Sequence, residues 1–141
     1  MNAPAVPLAR ARTALYRRDM TLRLGMVNFD SRDPAPLARW WAEQVGGEVA
    51  DPYGGSFLLV TGGPITLAFQ QVGDPTPGKN KVHLDLTTDD LDGEVERLVS
   101  AGATLVERRG DDSFRWVTLT DPDGNEFCVA DQAEAEAPAS T

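Results

Sequence analysis

Cysteine and histidine are nearly absent. The 141 residues hold one of each, Cys128 and His83. A single thiol excludes a disulfide within the chain and fits a reducing, cytoplasmic setting. If that thiol were a nucleophile it would need a base beside it, and His83 is the sole candidate. Cationic residues are also scarce: 13 Lys and Arg face 22 Asp and Glu, for a net charge of -9 and a pI near 4.5. That balance argues against a nucleic-acid partner or an anionic membrane surface. No apolar run approaches the roughly 18 residues of a membrane-spanning helix. No glycine-rich phosphate loop occurs, because the glycine pairs sit where hairpins turn. What remains is an ordinary globular composition, 41% hydrophobic and 25% charged. The length suits one domain with a sizeable core.

The stretch around the single histidine carries most information. In Val82-His83-Leu84-Asp85-Leu86-Thr87 apolar and polar residues alternate with a period of two, predicting a strand with one apolar and one polar face. Asp89 or Asp90 then offers a carboxylate to cap a helix. The same grammar occurs earlier, in Met26-Val27-Asn28-Phe29-Asp30 followed by Asp33-Pro34. Matching Asp33 to Asp90 sets Met26 opposite His83, and the chain reads as two copies of one unit.

The first unit, about 21–73, opens with a strand over 22–30. A helix near 34–45 follows, with Asp33 as N-cap, Pro34 at its first position and Gly46-Gly47 as its stop. Three β-like runs come next, at 48–51, 56–61 and 65–72. The segment 73–78, with two prolines and two glycines, links the units. The second unit, about 79–131, repeats the order: the His83 strand, a helix near 90–101, and strands over 104–108, 114–120 and 125–130. The last two are joined by a turn at Asp121-Pro122-Asp123-Gly124. Residues 1–20 read as a disordered, basic leader without the apolar region of a secretory signal, and 132–141 as a disordered tail.

Two βαβββ units, the strand-to-helix stretch His83-Leu84-Asp85-Leu86-Thr87-Thr88-Asp89-Asp90 and the closing Asp121-Pro122-Asp123-Gly124-Asn125-Glu126-Phe127 resemble the vicinal-oxygen-chelate superfamily. That superfamily includes glyoxalases, bleomycin-resistance proteins and extradiol dioxygenases. The small bacterial glyoxalase-like domains are the nearest resemblance, over about 22–130. It implies an α+β fold in which two βαβββ modules form a curved, cavity-enclosing mixed sheet with helices on the convex side. It also implies a homodimer, since open module edges in this superfamily are paired across subunits.

Alternation then sorts side chains by face. Val27, Phe29, Ile65, Leu67, Phe69, Val117, Leu119, Phe127 and Val129 are expected under the helices. Met26, Asn28, Thr66, Ala68, Gln70, His83, Asp85, Trp116, Thr118, Glu126 and Cys128 are expected on the concave side. The superfamily draws one metal ligand from each of the first, fourth, fifth and eighth strands. Carried over, these positions are Met26, Gln70, His83 and Cys128. Met26 suits soft metals only, and Cys128 replaces a carboxylate. The expectation is therefore no complete metal site and no cofactor; a divalent metal, if bound, would rest on His83, Gln70 and Glu126.

The resulting functional reading is a small-molecule-binding domain with a cavity lined by Met26, Asn28, Gln70, His83, Asp85, Trp116, Glu126 and Cys128. The alternative is a lyase or isomerase moving a proton next to a carbonyl, with His83 and Glu126 as its acid–base pair. Trp40 and Trp41 read as helix-packing residues, Asp89-Asp90 as a cap, and Asp121 to Asp123 as a turn. His83 could also be merely hydrogen-bonded, to Asp85 or Gln70.

Overall fold

The fold was described from a computed structural model, in which residues 23–131 are described. The expected leader at 1–20 and tail at 132–141 lie outside these residues. Within them the βαβββ order occurs twice. The first module runs β1 (Val27–Ser31), α1 (Pro34–Val45), β2 (Glu48–Ala50), β3 (Phe57–Thr61) and β4 (Leu67–Gln71). The second runs β5 (Asp85–Thr88), α2 (Leu91–Ser100), β6 (Thr104–Gly110), β7 (Arg115–Thr120) and β8 (Glu126–Asp131). Each module folds into a mixed four-stranded sheet, ordered β1-β4-β3-β2 and β5-β8-β7-β6. Only β1/β4 and β5/β8 are parallel, as the intervening helix requires. The two sheets share no hydrogen-bonded edge.

Local chemistry sets the helix ends. Asp90 caps α2 through its carboxylate, which accepts from the Gly93 amide at 3.1 Å. Asp33 occupies the corresponding place on α1 but makes no side-chain cap. Its own amide donates instead to the hydroxyl of Ser31 at 3.2 Å. At the other end of α1, Gly46 adopts the left-handed conformation (φ 68°) that terminates helices cheaply only with glycine.

The core lies between each helix and its sheet. Leu37, Ala38 and Trp41 of α1 pack with Leu58, Val60, Leu67 and Phe69, while Leu91, Val95 and Leu98 of α2 pack with Val117, Leu119, Phe127 and Val129. Alternation places these residues correctly. Two apolar residues depart from it. Val82 is 80% exposed and Ile65 41% exposed, because each precedes its strand, which begins at Asp85 and Leu67 respectively. Ala68, expected on the cavity side, is fully buried.

Aromatic side chains join the modules. Trp41 is 1% exposed and stands between Phe29 of β1 (5.6 Å between centroids) and Phe127 of β8 (5.1 Å). Its indole Nε1–H donates to Asp121 Oδ2 at 3.0 Å. Asp121 is 2% exposed, and its carboxylate also accepts from the amides of Asp123 (3.0 Å) and Asn125 (2.9 Å) and from Asn125 Nδ2 (2.9 Å). A buried carboxylate is tolerable only with such satisfaction. Beside it, Trp40 Nε1 donates to the Ala101 carbonyl at 2.8 Å, Ser31 Oγ donates to Asp123 Oδ2 at 2.6 Å, and Arg97 donates to Gln44 Oε1 at 3.0 Å. The tryptophan pair and the Asp121 turn thus serve packing, but the packing is between modules.

Trp41→Phe should keep most of the ring contact while removing one donor from the buried Asp121 carboxylate. The expected cost is about 1–3 kcal/mol, or roughly 5–15 °C in Tm at this domain size, read by calorimetry. An unchanged Tm would show that the indole hydrogen bond does not hold the modules together.

Candidate functional site

The segment leading into β5 is held by a side chain rather than by strand pairing. Asn80 Oδ1 accepts from the Glu126 amide at 2.7 Å. Asn80 Nδ2 donates to the Glu126 carbonyl at 3.0 Å and to the Val82 carbonyl at 2.7 Å. One amide therefore takes both backbone groups at the start of β8. Ladder pairing resumes only where the Cys128 amide donates to the Leu84 carbonyl at 2.9 Å. The expected long His83 strand is thus a clipped turn followed by four strand residues.

This arrangement opens two adjoining cavities. The larger, of about 500 Å³, lies between β1, the segment 75–84 and the start of β8; Asn28, Trp41, Lys79, His83 and Glu126 are on its wall. The smaller, of about 260 Å³, lies on the polar face of the second sheet and is lined by Lys79, His83, Asp85, Arg109, Trp116, Thr118, Glu126 and Cys128. Lys79, His83 and Glu126 belong to both.

Of the eight residues expected to line a cavity, the structure brings His83, Asp85, Trp116, Glu126 and Cys128 together in the smaller one. Asn28 joins His83 and Glu126 in the larger. Met26 and Gln70 line neither. Met26 precedes β1 and is 43% exposed. Gln70 lies on the first sheet, where its Oε1 accepts from Asn28 Nδ2 at 3.2 Å. Gln70, expected in a common cavity with His83, does not itself line one; it is one hydrogen bond away, on Asn28, which shares the larger cavity with His83.

In the metal layout implied by the resemblance, Met26 and Gln70 line neither cavity, and Gln70 Oε1 accepts from Asn28, which lines the larger one. Of the alternative set, His83 and Glu126 line both cavities and Gln70 lines neither. The donors that do converge are His83, Asp85 and Cys128, whose ligating atoms all lie within 4.8 Å of one another. His83 Nδ1 is 3.3 Å from Asp85 Oδ1.

Arg109 and Thr118 complete the smaller cavity. Arg109 Nε donates to Thr118 Oγ1 at 3.1 Å, and its guanidinium pairs with Glu107 at 2.9 Å. Thr118 Oγ1 lies 3.5 Å from Cys128 Sγ. Alternation identified Thr118 but not Arg109. An irregularity between Leu105 and Glu107 leaves Val106 without a partner and shifts the register, so that Glu107 meets Thr118 and Arg109 meets Trp116. The β6–β7 hairpin is closed at Asp111, whose carboxylate accepts from Ser113 Oγ (2.6 Å) and from the amides of Ser113 (2.8 Å) and Phe114 (3.2 Å). Those bonds, the Ser113 hydroxyl first, hold the Asp111 carboxyl below the usual carboxylate range. Gly110 (φ 90°) is required before it, since a Cβ there would collide with the Phe114 carbonyl.

Comparison with known proteins agrees with this architecture. Residues 26–130 match the family model described as a glyoxalase-like domain. No curated protein matches the chain. Among solved structures, an enzyme of the glyoxalase/bleomycin resistance/dioxygenase family from Burkholderia phytofirmans PsJN is similar with TM-score 0.65 and 21% identity, covering 78% of this chain and 98% of that one. The fosfomycin resistance protein FosX from Mesorhizobium loti is similar with TM-score 0.63 and 21% identity, covering 84% and 100%. A mutant FosX from Listeria monocytogenes, in complex with Mn(II) and 1S,2S-dihydroxypropylphosphonic acid, is similar with TM-score 0.66 and 15% identity, covering 79% and 90%. With three quarters of its length matched by the family model and the two βαβββ modules in place, the chain belongs to the glyoxalase-like domain family of the vicinal-oxygen-chelate superfamily.

Proposed function

We propose that the protein binds a small organic anion in the two adjoining cavities, without the four-strand metal site of its superfamily. The observation that carries this reading is that Lys79, His83 and Glu126 stand on the wall common to both cavities. Their combined volume falls within the range typical of small-molecule sites. Lys79 has no carboxylate partner among the described residues and supplies a positive charge on a protein that is otherwise acidic. Trp116 offers a flat apolar surface beside it. A ligand with a carboxylate or phosphonate at one end and a planar or apolar body would satisfy both. The Listeria monocytogenes neighbour, of the same fold, holds a small organic anion of the phosphonate kind.

The lyase or isomerase reading is favoured by one observation, the His83–Asp85 contact at 3.3 Å. A carboxylate at Nδ1 fixes the tautomer that leaves Nε2 free to take a proton, with Glu126 in the same cavity to return it. One experiment addresses both readings: NMR in D2O of a panel of small 2-oxo acids and alkylphosphonates with the purified protein. The expected result is selective line broadening of at least one compound, weakened about tenfold by Lys79→Ala. Deuterium exchange next to the carbonyl, abolished by His83→Ala, would establish proton transfer as well. Absence of broadening across the panel, or equal broadening with Lys79→Ala, would overturn the anion-binding reading.

A homodimer is part of this proposal. The strands β1 and β5 each pair on one side only, and an open edge beside a polar face is where a second copy adds a strand. Light scattering after size exclusion should give twice the 15.2 kDa mass of one chain. The mass of a single chain, undiminished affinity notwithstanding, would remove the dimer from the account.

A further inference from the structure

We propose that the larger cavity is a subsite for an uncharged aromatic ring, carried by the ligand beyond its anionic group. The charged group on Lys79 rests on the anion-binding reading; the ring subsite stands on separate observations. The cavity does not stop at the polar side of the sheets. Asn28 lines it from the polar face of β1, while Val27 and Phe29 line it from the helix side of the same strand. It therefore runs inward past β1, between the modules, and ends on Trp41 and Phe127, each 1% exposed. Leu84 lines it from the segment 75–84 and packs against the core, as Val27 and Phe29 do.

The inner end is poorly suited to water. Val27, Phe29, Leu84 and Phe127 have no polar side-chain atom, and the one polar atom of the Trp41 indole is bonded to Asp121 at 3.0 Å. Backbone groups beside it are also taken: the Leu84 carbonyl accepts from the Cys128 amide, and the Val27 amide donates to the Thr66 carbonyl. A buried water needs roughly 2–4 polar partners, whereas an apolar cavity of about 150 Å³ accepts benzene. This cavity, of about 500 Å³ in all, has room for a ring beneath its polar mouth. The rings of Phe29 and Phe127 are inclined to the Trp41 indole by 52° and 68°. Together they present ring faces and edges, against which a further aromatic group packs edge to face. Lys79 and Lys81 stand at the mouth, and neither pairs with a carboxylate among the described residues. The ligand is thus an aryl-substituted organic acid. Its charge lies between the cavities, its ring points toward Trp41, and its remainder lies beside Trp116.

The test uses the full chain, labelled with ¹⁵N, and toluene as a probe without charge, so its outcome is separate from that of the anion-binding reading. Toluene should shift the indole N–H resonance of Trp41 and leave that of Trp116 in place, the two being identified by their absence in Trp41→Phe and Trp116→Phe. In a second titration, 3-phenylpropionate should bind at least about tenfold tighter than propionate, as burial of a ring predicts. Val27→Phe, which fills the inner end, should abolish toluene binding and remove that tenfold difference, while changing propionate affinity less than about twofold. Leu84→Phe repeats the test from the segment 75–84, and far-UV circular dichroism reports whether each variant keeps its fold. A toluene shift at Trp41 with no binding of either acid would support the ring subsite and remove the anion-binding reading alone. Absence of a toluene shift at Trp41, or a shift at Trp116 in its place, would overturn the proposal. So would a tighter binding of 3-phenylpropionate that both filling variants leave intact.

Discussion

The hydrogen bond from the Trp41 indole to the buried Asp121 carboxylate sets the relation between the two halves of this protein. Each βαβββ module could form its own sheet and cover it with its own helix. What a module cannot do alone is fix its angle to the other. Trp41 does so by combining ring contacts with Phe29 and Phe127 on either side with a directed bond into the turn before β8. The aromatic surface supplies the attraction, and the bond supplies orientation. Asp121 also takes the amides of Asp123 and Asn125. The same carboxylate that docks the modules therefore shapes the turn from which β8 departs.

That departure point is next to the site. Asn125 is held by Asp121, and Glu126 follows it with both backbone groups bonded to Asn80. The Asn80 clip brings Lys79 and His83 over the polar face of β8. A continuous line of contacts thus runs from the buried tryptophan to the cavity wall, through Asp121, Asn125, Glu126 and Asn80. The chemistry of the wall is concentrated on the second module. The first contributes an Asn28–Gln70 pair, of which only Asn28 reaches a cavity shared with His83.

The sequence exposed some of this and concealed the rest for identifiable reasons. Strand faces were legible wherever a ladder forms, because side-chain alternation has a period of two: Phe69 against Gln70, and Phe127 against Cys128, sort as expected. Val82 was misplaced because its alternation belongs to a segment whose backbone partners were taken by the Asn80 side chain. Such competition between amide side chain and ladder leaves no periodic trace. Arg109 was hidden by the unpaired Val106, since a bulge reverses the apparent face of every residue beyond it. Gln70 was expected beside His83 from module symmetry; it stands behind Asn28, which lines a cavity with His83, and symmetry within modules says nothing about the angle between them. The indole and carboxylate that set that angle, Trp41 and Asp121, are 80 residues apart and read locally as a packing residue and a turn.

The account centres function on the polar face of the second module, and its only cysteine makes that directly measurable. Alkylation of Cys128 by iodoacetamide, followed by intact mass spectrometry, reports access to the smaller cavity with no mutation. A small anion that binds as proposed should slow the reaction at least tenfold at saturation, because Lys79, Trp116 and Cys128 share one wall. Alkylation at the unliganded rate with a saturating bound anion would place binding elsewhere and contradict the account.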